Sequence, residues 1–233
     1  MNPTEKFFTV GFIYPLGKFR FAFANLICVF SRDKNMITKN NLALQIVVAL
    51  EESIETKKRV IEKSVPVLEN IAEILIKALK MGNKILLFGN GGSAADSQHI
   101  AAELVCRFLR ERKALPAIAL TTDTSILTAI SNDYSFDNVF ARQIEALGLP
   151  GDVAVGISTS GNSKNVIKAM QAAKKLEIIT IGFTGENGGE LKNCVDFCFH
   201  APSSSTPHIQ EAHLTAAHAL CDVVEHEFYT KAD

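Results

Sequence analysis

The spacing of apolar residues predicts that helices and strands alternate from residue 37 onward. Short continuous apolar runs are typical of strands buried on both faces of a sheet, and they occur at residues 85–88, 117–120, 153–157, 178–183 and 195–199. Helical periodicity marks the segments 94–110, 124–131, 136–147, 163–176 and 207–229. Five buried strands with crossover helices predict an α/β fold, a three-layer α/β/α sandwich around a five-stranded, mostly parallel sheet.

A pair of amphipathic helices is predicted before the first strand, near residues 40–56 and 58–80. Apolar residues recur at three- and four-residue spacing in both ranges. Pro66 lies inside the second range and is expected to kink or split it, because proline lacks the backbone N–H and clashes with the preceding turn. A small sheet domain cannot cover the whole apolar stripe, so we expect the pair to pack on another subunit.

Residues 1–35 differ from the rest of the chain, since they hold seven of its 15 Phe. Lys18 and Arg20 divide this segment into two apolar runs, each shorter than the roughly 18 residues that a membrane-spanning helix needs. The segment also lacks the pattern of a signal peptide. We interpret it as an N-terminal extension of uncertain order, with Met36 as the natural start and 36–233 as the folded domain. A membrane or partner anchor is the alternative.

Composition and charge exclude several classes of function. Apolar residues make up 47% and charged residues 21% of the chain, which is a globular composition. The 24 basic and 25 acidic residues leave no basic excess to bind a nucleic-acid backbone. Five scattered cysteines, an odd number, favour a reducing and therefore cytoplasmic compartment over a disulfide framework. We expect no direct nucleic-acid partner and no membrane partner.

A glycine-rich turn, residues 89–93, follows the first predicted strand and leads into a helix. Glycines at such a turn let backbone N–H groups approach a ligand, and the helix N-terminus favours an anion. The spacing Gly89-x-Gly91-x-x-Ala94 also satisfies the dinucleotide fingerprint, which needs an acid about 20 residues on, at the end of the second strand. Glu111 precedes that strand, so a nicotinamide nucleotide is disfavoured. A tight turn without a ligand is the other alternative.

A hydroxyl-rich turn, residues 158–163, follows the third predicted strand and also opens a helix. Four of its six residues are Ser or Thr, which predicts an anion site with many neutral donors. Because it lacks a lysine of the Walker type, a monophosphate ester fits better than a nucleoside triphosphate. Ligands of such sheets bind at the carboxyl ends of the strands, where both turns lie. Asn132 and Asp133 add polar groups for sugar hydroxyls, although both residues are also common turn formers.

Two predicted helices carry possible metal ligands. His99 and Glu103 are four residues apart and share a helix face, which makes them a plausible half of a zinc site. Taken alone, this spacing is more often an ordinary surface His–Glu pair. The last helix holds three of the six His within residues 208–218. The pattern indicates a His-rich helix and leaves open whether it forms a site.

Four motifs resemble the sugar isomerase (SIS) domain family, and most closely its phosphoheptose isomerases. The motifs are FGNGGS at 88–93, LTTD at 120–123, SND at 131–133 and GISTSGNS at 156–163. The resemblance runs from Met36 to the C-terminus and implies a SIS-like, flavodoxin-like fold. It implies an isomerase that interconverts sedoheptulose 7-phosphate and D-glycero-D-manno-heptose 7-phosphate through an enediolate. That reaction is the first step of ADP-heptose synthesis for the lipopolysaccharide core.

The resemblance also implies roles for individual residues. Glu103 and His218 are expected to act as the acid/base pair. One zinc ion per subunit is expected to be bound by His99, Glu103, Gln210 and His218. The sugar chain is expected to contact Asn90, Gly91, Gly92, Asn132 and Asp133, with Glu103 and Gln210 as further substrate-binding residues. The phosphate is expected to bind Ser158, Thr159, Ser160 and Ser163.

The implied zinc ligands raise a geometric difficulty. Gln210 and His218 are eight residues apart, which is about 12 Å along a helix, whereas ligand atoms lie about 2 Å from zinc. Either Gln210 lies at a frayed helix start and reaches inward, or the ligands do not all engage at once. His213 is a reserve ligand. Metal binding would also make Glu103 a weaker base, so its two roles compete.

Two other classes of function stay open at this point. The same family contains a protein that binds the bacterial replication initiator and shares these motifs. A ligand-sensing regulator is the third class, but such proteins usually carry a DNA-binding segment, which nothing here resembles. The presence of His99, Glu103, Gln210 and His218 favours the isomerase. The resemblance further implies a homotetramer with its sites at subunit boundaries.

Overall fold

The computed structural model describes residues 42–229. The chain divides into two compact units, Met1–Ala49 and Leu50–Asp233. Within the first unit, residues 42–49 are described and are helical. The predicted extension over 1–35, and its boundary with the folded domain, lie outside the described residues.

A single helix, α1, spans Leu42–Lys80, which corrects the predicted pair of helices. The residues at the expected break, around Lys57 and Lys58, are good helix formers, so nothing there interrupts the helix. Pro66 lies on an exposed part of α1, where water can hydrate the Glu62 carbonyl that loses its hydrogen-bond donor. A membrane span needs a long apolar helix, and none occurs between residues 42 and 229.

The described chain confirms the predicted alternation of strands and helices after α1. The strands are β1 Ile85–Gly89, β2 Ala117–Ala119, β3 Val153–Ile157, β4 Ile179–Thr184 and β5 Phe197–His200. The helices are α2 Gly92–Val105, α3 Thr124–Asp133, α4 Ala141–Leu147, α5 Lys164–Lys175 and α6 Thr206–Phe228. Short 3₁₀ turns occupy Phe136–Asn138 and Leu191–Asn193. The segment predicted as a helix over 136–147 is therefore a 3₁₀ turn followed by α4.

The five strands form one sheet in the order β2-β1-β3-β4-β5, and every neighbouring pair is parallel. This is the flavodoxin-like order of a doubly wound sheet. Side chains alternate between its faces. Ile85 and Leu87 join a core with α1, α2 and α6, while Leu86 and Phe88 join a second core with α4 and α5. The predicted three-layer sandwich is confirmed.

Candidate active site

The glycine turn and the hydroxyl turn start side by side. Strands β1 and β3 are neighbours, and their register pairs Gly89 with Ile157, the last residue of each strand. Asn90 and Asn165 then exchange two amide hydrogen bonds of 2.9 and 2.8 Å, which link the glycine turn to the first turn of α5. Asn165 is 3% exposed, so this link is inside the protein. The two turns therefore form one surface at the carboxyl edge of the sheet.

The hydroxyl turn has an internal brace and an open side. The hydroxyls of Ser158 and Ser163 lie 2.9 Å apart in a hydrogen bond, and Ser158 is buried. Thr159 is half-buried and Ser160 is exposed. The Ser160 hydroxyl accepts a hydrogen bond of 3.1 Å from the backbone N–H of Asn162. Ser158 and Ser163 thus shape the turn, and Ser160 presents its hydroxyl to solvent, where an anion can reach it.

In the glycine turn, backbone conformation favours glycine at position 91, and glycine at position 92 leaves space for a neighbouring side chain. Gly91, the residue before α2, has φ of +57°, in the region that favours glycine over other residues. A side chain at position 92 would collide with the side-chain amide of Gln210 on α6. Gly92 therefore leaves room for Gln210 beside the turn. This places Gln210 next to the predicted sugar-binding residues of the turn.

His99, Glu103 and His218 come together, although 119 residues separate the two histidines. The Nε2 atoms of His99 and His218 lie 2.8 Å apart, and His99 Nε2 lies 3.4 Å from Glu103 Oε1. All three ligand atoms lie within 4.8 Å of one another. Two ring nitrogens this close either share one proton or turn both lone pairs towards a cation. The His99–Glu103 pair is therefore part of a three-residue cluster and is not an isolated surface pair.

The donor set of this cluster fits a zinc ion. Two imidazoles and a carboxylate are ligand types that zinc takes in catalytic sites. Around a tetrahedral ion with bonds of about 2.0–2.1 Å, ligand atoms stand roughly 3.3 Å apart. The 3.4 Å separation of His99 and Glu103 matches this spacing, and the 2.8 Å separation of the two ring nitrogens needs a small opening. His99 is exposed and the other two are half-buried, so an ion can enter from solvent.

Gln210 lies beside the glycine turn, away from this cluster along the helices. Helices α2 and α6 run side by side in the same direction, since Gly92 meets Gln210 and His99 meets His218 further along both helices. The two contact levels are two helical turns, or about 10 Å, apart. Gln210 is therefore at the level of the glycine turn, and its role as a fourth zinc ligand stays a prediction.

The reserve ligand, His213, lies in the protein core and outside the cluster. Its side chain is 1% exposed and packs edge-on against Phe183 and Phe199. Its Nε2–H donates to the Thr184 carbonyl at 2.9 Å. Burial lowers the pKa of His213 to about 4, which keeps the imidazole neutral. Packing and one hydrogen bond hold this histidine in the core, while its buried Nδ1 has no hydrogen-bond partner among the described residues.

Asn132 and Asp133 lie at the end of α3, and both are exposed. The side-chain amide of Asn132 donates to the carboxylate of Asp133 at 2.8 Å. No hydrogen bond within residues 42–229 connects either residue to the two turns or to the cluster. Their contact with the sugar chain therefore stays a prediction.

The structure adds neighbours that the sequence analysis did not single out. The Phe108 ring packs on the His218 imidazole, with ring centroids 5.4 Å apart. On α2, Asp96 has one buried carboxylate oxygen without a hydrogen-bond partner in the described part of the chain. Burial raises the pKa of Asp96, and nearby His99 opposes this shift. For Phe108, the only signal in the nearby sequence was its aromatic side chain within the charged stretch 107–113.

Comparisons with known proteins agree with this fold, and the family match includes both turns. The sequence profile of the SIS domain family matches residues 50–185. A phosphoheptose isomerase from Roseiflexus sp. (strain RS-1) is 56% identical over 184 residues, covering 79% of this chain and 93% of that relative.

Two solved structures of phosphoheptose isomerases are also similar. The one from Neisseria gonorrhoeae is 44% identical with a TM-score of 0.76, covering 79% of this chain and 99% of that chain. The one from Francisella tularensis is 37% identical with a TM-score of 0.76, covering 78% and 97%. The chain therefore belongs to the SIS domain family and, within it, to the family of the phosphoheptose isomerases.

Proposed function

We propose that the protein is an aldose–ketose isomerase that interconverts sedoheptulose 7-phosphate and D-glycero-D-manno-heptose 7-phosphate through an enediolate. The observation that carries this proposal is the cluster of His99, Glu103 and His218, whose ligand atoms lie within 4.8 Å of one another. It lies about two helical turns beyond the glycine turn, and we assign the acid/base pair to it. The names of the relatives support the choice of a heptose phosphate. No observation on the described residues favours binding to a replication initiator.

The two turns divide the recognition of the substrate. The hydroxyl turn offers Ser158, Thr159, Ser160 and Ser163 to the phosphate, as neutral donors at the start of α5. The glycine turn, with Asn90 held by Asn165 and with Gln210 at its side, faces the sugar chain. Asn132 and Asp133 complete the proposed sugar contacts. This arrangement fixes the phosphate at one end, so that the reacting carbons lie at a set distance from it.

Proton transfer is assigned to Glu103 and His218. A proton leaves carbon 1 of the ketose to give the enediolate, and a proton returns to carbon 2 to give the aldose, while the hydroxyl proton of oxygen 1 passes to oxygen 2. This needs one group that accepts a proton from carbon and one that exchanges protons with the oxygens. The ligand atoms of Glu103 and His218 lie within 4.8 Å of each other, so both can face one enediolate.

We propose one zinc ion per subunit, held by His99, Glu103 and His218, with Gln210 as the predicted fourth ligand. When bound, such an ion would supply positive charge beside the carbonyl and hydroxyl oxygens of the sugar. Glu103 has two carboxylate oxygens, so one can bind a cation while the other accepts a proton. Its basicity is lower in that state, and this is the cost of placing the ligand and the base in one residue.

The proposed setting is a cytoplasmic homotetramer that performs the first step of ADP-heptose synthesis for the lipopolysaccharide core. We propose that residues 36–233 form the SIS domain and that 1–35 are an N-terminal extension. Assembly is supported by an apolar stripe on α1, where Leu50, Ile54 and Ile61 are 53–69% exposed. Exposed apolar stripes of this kind mark protein contacts.

The test is an assay of conversion with and without metal. Sedoheptulose 7-phosphate is incubated with zinc-loaded protein, and the aldose phosphate is detected by NMR. We expect conversion, its loss after treatment with a chelator, and its return when zinc is added back. Sedoheptulose without phosphate serves as the control and should turn over poorly at the same concentration. A folded, zinc-loaded protein that forms no aldose phosphate would refute the proposed function.

A further inference from the structure

A buried ion pair lies next to the proposed proton-transfer residues. The Nε atom of Arg112 is 3.4 Å from Oε1 of Glu225, and both side chains are 1% exposed. Burying two charges costs free energy that their mutual attraction repays only when further hydrogen bonds satisfy both groups. The other partners of the two residues therefore indicate what the pair does.

Arg112 caps the end of α2. Its guanidinium donates to the backbone carbonyls of Glu103 at 2.7 Å, Leu104 at 2.8 Å, Cys106 at 3.3 Å and Lys113 at 3.0 Å. The last carbonyls of a helix have no partner within it, and its C-terminus attracts positive charge. The last turn of α2, which carries Glu103, is thus held by Arg112.

Glu225 anchors the segment that follows α2. Its carboxylate accepts hydrogen bonds from the backbone N–H groups of Phe108, Leu109 and Arg110, each at 2.7 Å. Burial raises the pKa of Glu225, but the three N–H groups and Arg112 outweigh it and hold the pKa below its usual value. The group is therefore a carboxylate at neutral pH and can accept all three hydrogen bonds.

Arg112 and Glu225 contact three segments around the proposed proton-transfer residues. Arg112 holds the backbone of Glu103, and Glu225 holds the backbone of Phe108, whose ring packs on His218. Glu225 also follows His218 by seven residues on α6, so the two lie on the same face, two turns apart. The ion pair thus joins α2, the segment after it and α6.

We propose that Arg112 and Glu225 are positioning residues, which hold the carboxylate of Glu103 and the imidazole of His218 in the arrangement that proton transfer and metal binding need. This inference rests on the proposed isomerase function. A misplacement of about 1 Å in a reacting group can cost about 100-fold in rate. None of these hydrogen bonds involves the hydroxyl turn, so binding of the phosphate should depend on them much less.

Three substitutions test the pair. Arg112→Met removes the charge and the fork of donors, Glu225→Gln removes the carboxylate, and Arg112→Lys keeps a charge without the fork. We expect kcat to fall about 100-fold for Arg112→Met and Glu225→Gln and about 10-fold for Arg112→Lys. We expect KM to change less than about threefold, because an interaction that acts on the transition state affects kcat rather than substrate binding.

Zinc affinity provides a second readout that needs no turnover. Residues that orient metal ligands typically change metal affinity about 10- to 100-fold when mutated. We expect Arg112→Met and Glu225→Gln to weaken zinc binding by such a factor in a calorimetric titration. If wild-type protein showed no isomerase activity, the proposed function would be refuted but the positioning role would not. The zinc affinities of the variants would still test that role.

Asp152→Asn is the matched control for general destabilisation. Asp152 and Lys84 form another ion pair at the amino-terminal edge of the sheet, with 2.6 Å between Lys84 Nζ and Asp152 Oδ2. The Asp152 side chain is 2% exposed and the Lys84 side chain 19%. We expect Asp152→Asn to lower stability while kcat, KM and zinc affinity stay unchanged. The positioning role is overturned if the folded Arg112 and Glu225 variants keep wild-type kcat and zinc affinity, or if these two quantities match those of Asp152→Asn. It is also overturned if Arg112→Met, Arg112→Lys and Glu225→Gln all fail to fold.

Discussion

Two histidines on α6, five residues apart, have opposite environments. His213 is buried among Phe183 and Phe199 and bonds to a backbone carbonyl, so it is neutral and structural. His218 is half-buried and faces His99, with ring centroids 5.0 Å apart. On the same helix, His213 therefore packs in the core, whereas His218 lies in the cluster with His99. The difference follows from which helix face each residue occupies.

The neutral state of His213 predicts a dependence of stability on pH. Its pKa is about 4 in the folded protein against 6.5 as the ordinary value, so between these pH values the unfolded chain binds more protons. The free energy of unfolding should therefore fall as the pH drops from 6.5 to 4, by up to about 3 kcal/mol from this residue. His200, whose pKa burial also lowers, acts in the same direction.

Urea unfolding at a series of pH values and one protein concentration measures this effect. His213→Gln keeps a donor but does not titrate, and it should show a shallower fall in stability over that pH range. Thr215→Gln is the matched control, because Thr215 is exposed on the same helix and the substitution removes no titrating group, so the slope should stay unchanged. An unchanged slope in His213→Gln would contradict the assignment of a neutral, buried imidazole.

Some residues of the candidate site are marked by a pattern in the nearby sequence, and others are not. The four-residue spacing of His99 and Glu103 predicted that they share a helix face, and only the resemblance made them expected site residues. His218 could be assigned only through the resemblance, because its partners lie more than 100 residues away. Asn165 was missed for the same reason, since it meets Asn90 from 75 residues away and no local pattern marks it.

At the scale of elements, the strands were predicted well and the ends of the helices less well. Parallel strands buried on both faces carry continuous apolar runs, which a sequence shows directly. The helix predicted over 94–110 ends at Val105, because Arg112 and Glu225 take up the backbone groups that follow it. Such tertiary hydrogen bonds leave no periodic signal.

In α1, Pro66 was expected to kink or split the second predicted helix, and the helix is continuous through it. Pro66 removes one hydrogen bond inside the helix, and packing of α1 on the sheet core outweighs that loss. Pro66→Ala should restore the bond to the Glu62 carbonyl and raise the free energy of unfolding by about 1–3 kcal/mol. Thermal and urea unfolding measure the change.

Lys63→Ala is the control for this substitution, since Lys63 is an exposed residue of the same helix. It should change stability by less than about 0.5 kcal/mol. A protein that Pro66→Ala destabilises would show that the helix needs the proline, and would contradict the explanation given for its tolerance.

At the scale of the whole molecule, α1 both covers the sheet and exposes apolar surface. Val60, Ile71 and Leu75 join the core, whereas Ile54 and Ile61 are 53% and 69% exposed. The periodicity of the sequence predicts an apolar stripe on α1 that the sheet does not cover. The partner that covers it cannot be read from the periodicity, because apolar burial is not directional.

Ile61→Glu tests the proposed homotetramer. A charge in a buried apolar contact is costly to desolvate, so the substitution should dissociate the assembly. We expect light scattering to give wild-type protein a mass near four times the 25.4 kDa chain and the variant a smaller mass. Leu149→Glu, at a residue 62% exposed outside α1, should keep the wild-type mass. A wild-type monomer, or an Ile61→Glu tetramer, would contradict the proposal.

Isomerisation in D₂O tests most directly whether Glu103 and His218 move the proton. Wild-type protein should form aldose phosphate that carries deuterium at carbon 2, seen by NMR, since the enediolate takes its proton from groups that exchange with solvent. Folded Glu103→Gln and folded His218→Ala should each form this product at least about 100-fold more slowly. Glu145→Gln, at an exposed residue on α4, should match wild type. Product formation by folded Glu103→Gln at the wild-type rate, with the same label, would contradict the assignment.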